Sequence, residues 1–131
     1  AAQLDSLLTF IYTPPPHPPV WDEAAIRASR IEYHKPGSLP DKAVFKADLL
    51  NIFVVVETGD HHVTILDGDT FEPIKRIPTR FALHGGPKFS PDGRYVYFGS
   101  RDGWVSKFDI WNLEYIAEVR AGGKRFGRIA C

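Results

Sequence analysis

Of the five histidines in this chain, His84 has the setting best suited to chemistry. It stands in the run Ala82, Leu83, His84, Gly85, Gly86. A neutral imidazole offers a ring nitrogen to a metal, and two neighbours without a Cβ let a flat, bulky molecule approach the backbone. The same residues also describe a histidine hydrogen-bonded within the protein, with the glycines marking a bulge; the pattern alone leaves both readings open. Arg101, just ahead of Asp102 and Gly103, carries a guanidinium fork that suits a ligand carboxylate, with a solvated turn arginine as the other reading. His61 and His62 are adjacent, so on a strand they would face opposite sides and could not grip one metal ion; they read as turn residues. His17 and His34 have no partner at zinc-ligand spacing. There is no phosphate-binding glycine loop, no H-E-x-x-H and no G-x-S-x-G. Any activity is therefore expected from a bound cofactor or from residues beyond this sequence.

The elements that must position these residues are announced by an internal repeat. A shift of 42 residues pairs Val54 with Val96, Asp60 with Asp102, Val63 with Val105, Asp67 with Asp109, Glu72 with Glu114 and Ile74 with Ile116. Around those identities Phe53 meets Tyr95, Val56 meets Phe98, Leu66 meets Phe108 and Ile77 meets Val119. A period of about 40 to 45 residues made of short strands is the signature of a β-propeller blade. Asp67 and Asp109 recur at one blade position, which argues for a structural turn role and against paired acid and base catalysis. Trp104 and Trp111 read as blade packing.

Size and composition bound the rest. The 131 residues, 44% hydrophobic and 13% aromatic, suffice for a buried core in about one domain. Sixteen basic residues balance sixteen acidic ones, so no net field favours nucleic acid or an anionic membrane surface. The lone cysteine, Cys131, excludes a disulfide framework and a C-x-x-C-H heme attachment within the chain. No apolar run approaches the roughly 20 residues of a membrane span, and the start does not read as a signal peptide. A propeller closes with at least about four blades, whereas about two are legible. The expected fold is therefore all-β: a fragment of a propeller, about two blades, preceded by a short helical tail and a proline-rich linker, with Ala1 as an arbitrary cut.

Along the chain, Leu4, Leu7, Leu8 and Ile11 share one helical face, predicting a helix over residues 3–12. Pro14, Pro15, Pro16, Pro18 and Pro19 stop it and predict an extended spacer, with an aromatic-groove ligand as the lesser alternative. Residues 22–29 predict a short helix capped by Asp22, and residues 30–50 a connecting segment. Residues 53–56 form a continuous apolar run expected of a strand covered on both faces. Strands are then expected over 63–66 and 74–77, and over 81–89, 95–99, 104–110 and 114–119, with 81–89 innermost. Between 89 and 95, Pro91 fixes φ and Gly93 supplies φ > 0 for a tight turn.

Three stretches carry a family resemblance: Phe53-Val-Val-Val-Glu with Val63-Thr-Ile-Leu-Asp-Gly; Phe81-Ala-Leu-His-Gly-Gly-Pro-Lys-Phe-Ser-Pro-Asp-Gly-Arg-Tyr-Val-Tyr; and Ser100-Arg-Asp-Gly-Trp with Asp109-Ile-Trp. With them, residues 51–122 resemble the d1 domain of the cytochrome cd1 family, an eight-bladed propeller that holds heme d1 in its central channel. The first helix, the proline tract, Trp21 and the Ile26-Arg-Ala-Ser-Arg segment are similar to the end of the c-type cytochrome domain and its linker in such proteins. The resemblance implies that residues 1–12 end an upstream c-type cytochrome domain carrying heme c, that 13–50 are linker, and that 51–131 are the first blades of a heme d1-binding propeller. It implies His84 as the proximal ligand of the heme d1 iron, with Gly85 and Arg101 at the cofactor and Arg101 near the macrocycle's carboxylates. The stretch from Leu83 to Lys88 looks more like a dihydro-heme d1 dehydrogenase, which finishes heme d1 biosynthesis by desaturating a propionate, than like a nitrite reductase, because Thr58 and Pro87 stand where nitrite reductases tend to carry arginines. The residues after Gly122 fit the family pattern poorly, which leaves the register of Arg125 open. Implied with these are heme d1 or its dihydro precursor and an electron donor or acceptor protein as partners, a place in denitrification and a periplasmic location. The distal catalytic residues fall outside this sequence, and the 131 residues alone are expected to be inactive. Nitrite reduction is the alternative activity, and a non-enzymatic propeller scaffold the alternative from another class.

Overall fold

The computed structural model describes residues 2–14, 16, 17 and 20–122. Two antiparallel sheets carry the repeat. In chain order the elements are α1 (Ala2–Tyr12), α2 (Glu23–Ala28), β1 (Ile31–Glu32), β2 (Ile52–Glu57), β3 (His62–Asp67), β4 (Pro73–Pro78), β5 (Lys88–Phe89), β6 (Tyr95–Gly99), β7 (Trp104–Asp109) and β8 (Glu114–Arg120). One sheet has the order β2-β3-β4 and the other β1-β8-β7-β6-β5. These are the meandering strands of two propeller blades, as the sequence period requires.

The repeat is exact in its irregularities. The β3/β4 pairing shifts register between Ile65 and Leu66, and the β7/β8 pairing shifts between Lys107 and Phe108, 42 residues on. Phe71 and Leu113, again 42 apart, both hold a left-handed backbone, with φ of 58° and 57°. In each blade the preceding aspartate makes this turn possible. Asp67 Oδ1 accepts from the N–H groups of Asp69 (2.8 Å) and Thr70 (3.4 Å), and Asp109 Oδ1 accepts from the N–H of Asn112 (3.1 Å). Both carboxylates thus satisfy turn donors that would otherwise be orphaned, the structural role expected of them.

Between the sheets lies one core. Val63, Ile65 and Ile77 of the first sheet meet Val96, Phe98, Phe108 and Ile110 of the second, with Leu83 among them. Phe108 is 1% exposed and takes Tyr115 edge-on at 5.2 Å. Burying a side chain of that size stabilises by roughly 1.5–3 kcal/mol.

Three expectations need correction. Residues 53–56 are not covered on both faces: Phe53 and Val55 are 44% and 43% exposed, because only the face carrying Val54 and Val56 meets the core. The innermost strand of the second blade is not continuous over 81–89. Ala82 (φ 41°) and Gly85 (φ 77°) leave the extended region, Pro87 has no N–H to give a ladder, and what remains is β5 plus a single bridge from Leu83 to Ser100. Residues 30–50 do more than connect. Ile31 and Glu32 pair with Glu118 and Ala117 as an edge strand of the second sheet, and Val44 donates its N–H to Trp111 O at 2.9 Å. The other elements match expectation within a residue or two. Helix α2 starts under the Asp22 cap, whose Oδ1 accepts the Ala25 N–H at 2.9 Å, and Gly93 supplies φ 70°. Helix α1 buries none of its residues. Pro15, Pro18, Pro19 and the expectations on Arg125 and Cys131 lie outside the described residues.

Candidate functional site at the inner edge of the second sheet

The segment of residues 81–87 enters the second sheet beside the β6–β7 turn. Leu83, 6% exposed, plugs into the core, which fixes where the next side chain goes. His84 donates its N–H to Gly99 O at 2.9 Å, and Arg101 donates its N–H to both Phe81 O (3.3 Å) and Ala82 O (3.2 Å). These bonds lock residues 81–84 against 99–101, so His84 and Arg101 become neighbours although 17 positions separate them. Both line one concavity of about 340 Å³ together with Gly99, Ser100, Trp104 and Gly122. Ser100 Oγ closes the turn beneath it, donating to Asp102 Oδ1 at 2.5 Å and accepting from Trp104 N–H at 3.1 Å. Gly103, at φ 87°, brings its backbone against that of Gly122, so a side chain there would collide with the wall of the concavity.

The two polar groups that face this space are unspent. Among the described residues, the other arginines all use their guanidinium groups: Arg27 on Glu23, Arg30 on Glu32, Arg76 on Glu57 and Asp60, Arg80 on Glu118, Arg94 on Asp41 and Asp109, and Arg120 on Asp102 O. Arg101 has no such partner among the described residues. The imidazole of His84 is likewise exposed and free of hydrogen bonds to described residues, whereas His34 lies 3.9 Å from Glu114, His62 donates to Asp60 O at 2.8 Å and His61 accepts from the Ala82 N–H. A free imidazole and an unpaired guanidinium across one depression fit a ligand that combines a metal with a carboxylate. Gly85 takes the left-handed turn behind His84, with open space where a Cβ would stand. No group of three or more metal-binding side chains occurs among the described residues.

A second polar centre escaped the sequence reading because its members lie far apart. Glu118, 5% exposed, accepts from Ser106 Oγ (2.6 Å), Tyr33 Oη (2.7 Å) and Arg80 Nε (3.0 Å) and Nη2 (2.5 Å). Burial pushes its carboxyl up, but the hydrogen bonds from Arg80, Ser106 and Tyr33 outweigh that and hold it below the usual glutamate range. Arg80 lies over the Trp104 ring at 4.0 Å, so this clamp backs the wall of the concavity. Trp104 and Trp111 thus pack as expected, each under an arginine. Arg94 plays the corresponding part on the outer side, donating to Asp109 Oδ2 (3.0 Å), Asp41 Oδ1 (2.5 Å) and Pro40 O (3.0 Å).

The sequence and the fold are shared with known proteins. The family model described as "Cytochrome D1 heme domain" matches residues 47–128. The chain is 61% identical over 121 residues to the "Dihydro-heme d1 dehydrogenase" of Pseudomonas aeruginosa, covering 92% of this chain and 24% of that protein. It is 35% identical over 83 residues to the "Nitrite reductase" of Stutzerimonas stutzeri, covering 62% of this chain and 15% of that one. Among solved structures, "Dihydro-heme d1 dehydrogenase NirN in complex with DHE" superposes with a TM-score of 0.82 at 60% identity, covering 94% of this chain and 26% of that one. The chain thus spans about a quarter of the length of the relatives it matches most fully.

Proposed function

This chain belongs to the cytochrome D1 heme domain family, and on that premise we propose that it forms part of a heme d1-binding oxidoreductase of the dihydro-heme d1 dehydrogenase type. The observation that carries the reading is the convergence of His84 and Arg101, both without side-chain partners among the described residues, on one concavity in a chain 61% identical to such a dehydrogenase. The likeness to a nitrite reductase is weaker and shorter, and Thr58 and Pro87 stand where that activity would call for arginines.

In this reading His84 would ligate the iron and Arg101 would pair with a carboxylate of the macrocycle, while Gly85 lets the backbone turn away behind the imidazole. The cofactor, when bound, supplies the one-electron chemistry of an iron tetrapyrrole. The chain's own contribution is placement. Two anchors, one for the metal and one for a carboxylate, would hold and orient the ligand, with Leu83 and Ser100 bracing them from behind. Desaturation of a propionate releases two electrons and two protons; the electrons would leave one at a time through a heme c in a domain preceding residue 13 to a partner protein that accepts both, and the protons would go to solvent. A periplasmic location in denitrification accompanies this assignment. Among the described residues no helix is long and apolar enough to cross a membrane.

The test is titration of the whole protein with heme d1, comparing wild type with His84→Ala, followed by turnover of dihydro-heme d1 against nitrite. Loss of the imidazole-ligated iron spectrum in the variant, with turnover of the dihydro compound, is the expected result. An unchanged spectrum removes the ligand assignment, and turnover of nitrite alone replaces the dehydrogenase by the reductase.

A further inference from the structure

The segment that carries His84 is held from one side by the β6–β7 turn and from the other by a histidine of the neighbouring blade. His61, in the turn between β2 and β3, accepts the N–H of Ala82 on its ring Nδ1 at 3.1 Å. Its imidazole lies against the Phe81 ring with 5.0 Å between centroids, and its carbonyl accepts the N–H of Thr79 at 2.7 Å. A backbone N–H can only donate, so this contact requires the lone pair on Nδ1 and puts the ring proton on Nε2. Ala82 is 8% exposed and sits at φ 41°, a region that alanine seldom visits. Without the acceptor its N–H would be buried and orphaned, and the backbone would be free to return to an ordinary conformation. Rotation at Ala82 would carry Leu83 and His84 with it and loosen Arg101, whose own N–H depends on Phe81 O and Ala82 O.

We propose that His61 is a positioning residue that sets the orientation of the His84 imidazole and of Arg101 across their shared concavity, so that the ligand site of the second blade is completed by the first. The inference rests on the heme d1 reading given above. It assigns no contact between His61 and the cofactor: the ring acts through the Ala82 N–H.

The experiment uses the whole protein with His61→Gly and His61→Asn beside His84→Ala. Glycine keeps φ 62° without strain and removes the acceptor; asparagine tolerates the same φ and returns an oxygen to the place of Nδ1. Two readouts are followed: hydrogen exchange of the Ala82 amide in protein without heme, and affinity and iron spectrum on titration with heme d1. His61→Gly is expected to speed exchange of that amide and to weaken heme d1 binding about tenfold, the loss that accompanies one hydrogen bond left unmade, with a spectrum moved toward that of His84→Ala. His61→Asn is expected to restore both. Wild-type affinity and spectrum in His61→Gly, while His84→Ala changes both, overturns the positioning role and leaves the heme d1 reading standing. An unchanged spectrum in His84→Ala overturns the reading and this inference with it. Should His61→Gly fail to fold, Asn is compared with Gln, which places its oxygen one bond too far; equal exchange and equal affinity for those two variants overturn the proposal.

Discussion

At the scale of single residues, the informative feature of the site is what its side chains do not touch. The guanidinium groups of Arg76, Arg80 and Arg94 each serve two or more acceptors; Arg101, which lines the concavity, has none among the described residues. A charge-assisted hydrogen bond to a ligand carboxylate is worth about 1.5–3 kcal/mol. Arg101→Gln is therefore expected to weaken heme d1 binding about tenfold to a hundredfold in a titration followed by absorbance, leaving the His84-ligated spectrum in place. A loss of that spectrum would mean that Arg101 shapes the backbone instead of holding the ligand rim. Asp109 is the opposite case, wholly buried and fully engaged by Arg94 and Asn112. Removing one partner of a buried pair costs about 3–5 kcal/mol, so Asp109→Ala is expected to lower the unfolding free energy by that order in a denaturant melt. His84 and Arg101 were legible as candidates because glycine pairs and turn arginines are visible in a sequence. The role of His61 was not, since a turn histidine and an alanine 21 positions away carry no pattern that joins them.

At the scale of elements, the repeat made most of the strands readable, since a blade repeats its turns as faithfully as its hydrophobic positions. The failures have separate causes. The run over 81–89 begins and ends with residues suited to a strand, but Gly85, Gly86 and Pro87 in its middle are breakers, and the positive φ of Ala82 is set by tertiary contacts that composition does not encode. Strand β1 is two residues long, too short for any periodicity to register. What ties β1 to the blade is the cluster around Glu118, which draws Tyr33 from the segment after β1, Arg80 from the link between blades and Ser106 from β7. The Glu118 carboxyl is held below its usual range, so the unfolded state binds its proton at a higher pH than the folded state. Its contribution is consequently complete at neutral pH and is lost as pH falls through the usual glutamate range and then through the lower folded value. Glu118→Gln is expected to cost about 3 kcal/mol at pH 7 and to flatten the fall of stability on acidification. Parallel pH profiles for the variant and wild type would show that other carboxylates govern the acid limb.

At the scale of the whole molecule, the question is how much of the chain before the repeat belongs to the propeller. Besides the pairing of β1 with β8, residues 31–44 are bound to the second sheet by the N–H groups of Tyr33 and His34 on Ile116 O, the Tyr33 hydroxyl on Glu118, the Arg94 contacts with Asp41 and Pro40, and the Val44 N–H on Trp111. Asn112 adds another, donating from Nδ2 to Pro40 O at 3.0 Å. Each hydrogen bond is worth about 0.5–1.5 kcal/mol, or more where a charge takes part. Their loss also strips partners from Arg94 and Glu118, which are 9% and 5% exposed. Functionally, the matched family region begins at residue 47, after these anchors, so a boundary drawn at that point would remove the outer brace of the blade that carries His84. A version of the protein starting at residue 51 is expected to lose about 3–6 kcal/mol of unfolding free energy relative to one starting at residue 20, and to bind heme d1 more weakly, because Glu118 and Arg80 brace the Trp104 side of the concavity. Denaturant melts of the two versions decide it. Equal midpoints and equal slopes would make residues 31–44 a passive strap and confine the brace of the site to the strands themselves.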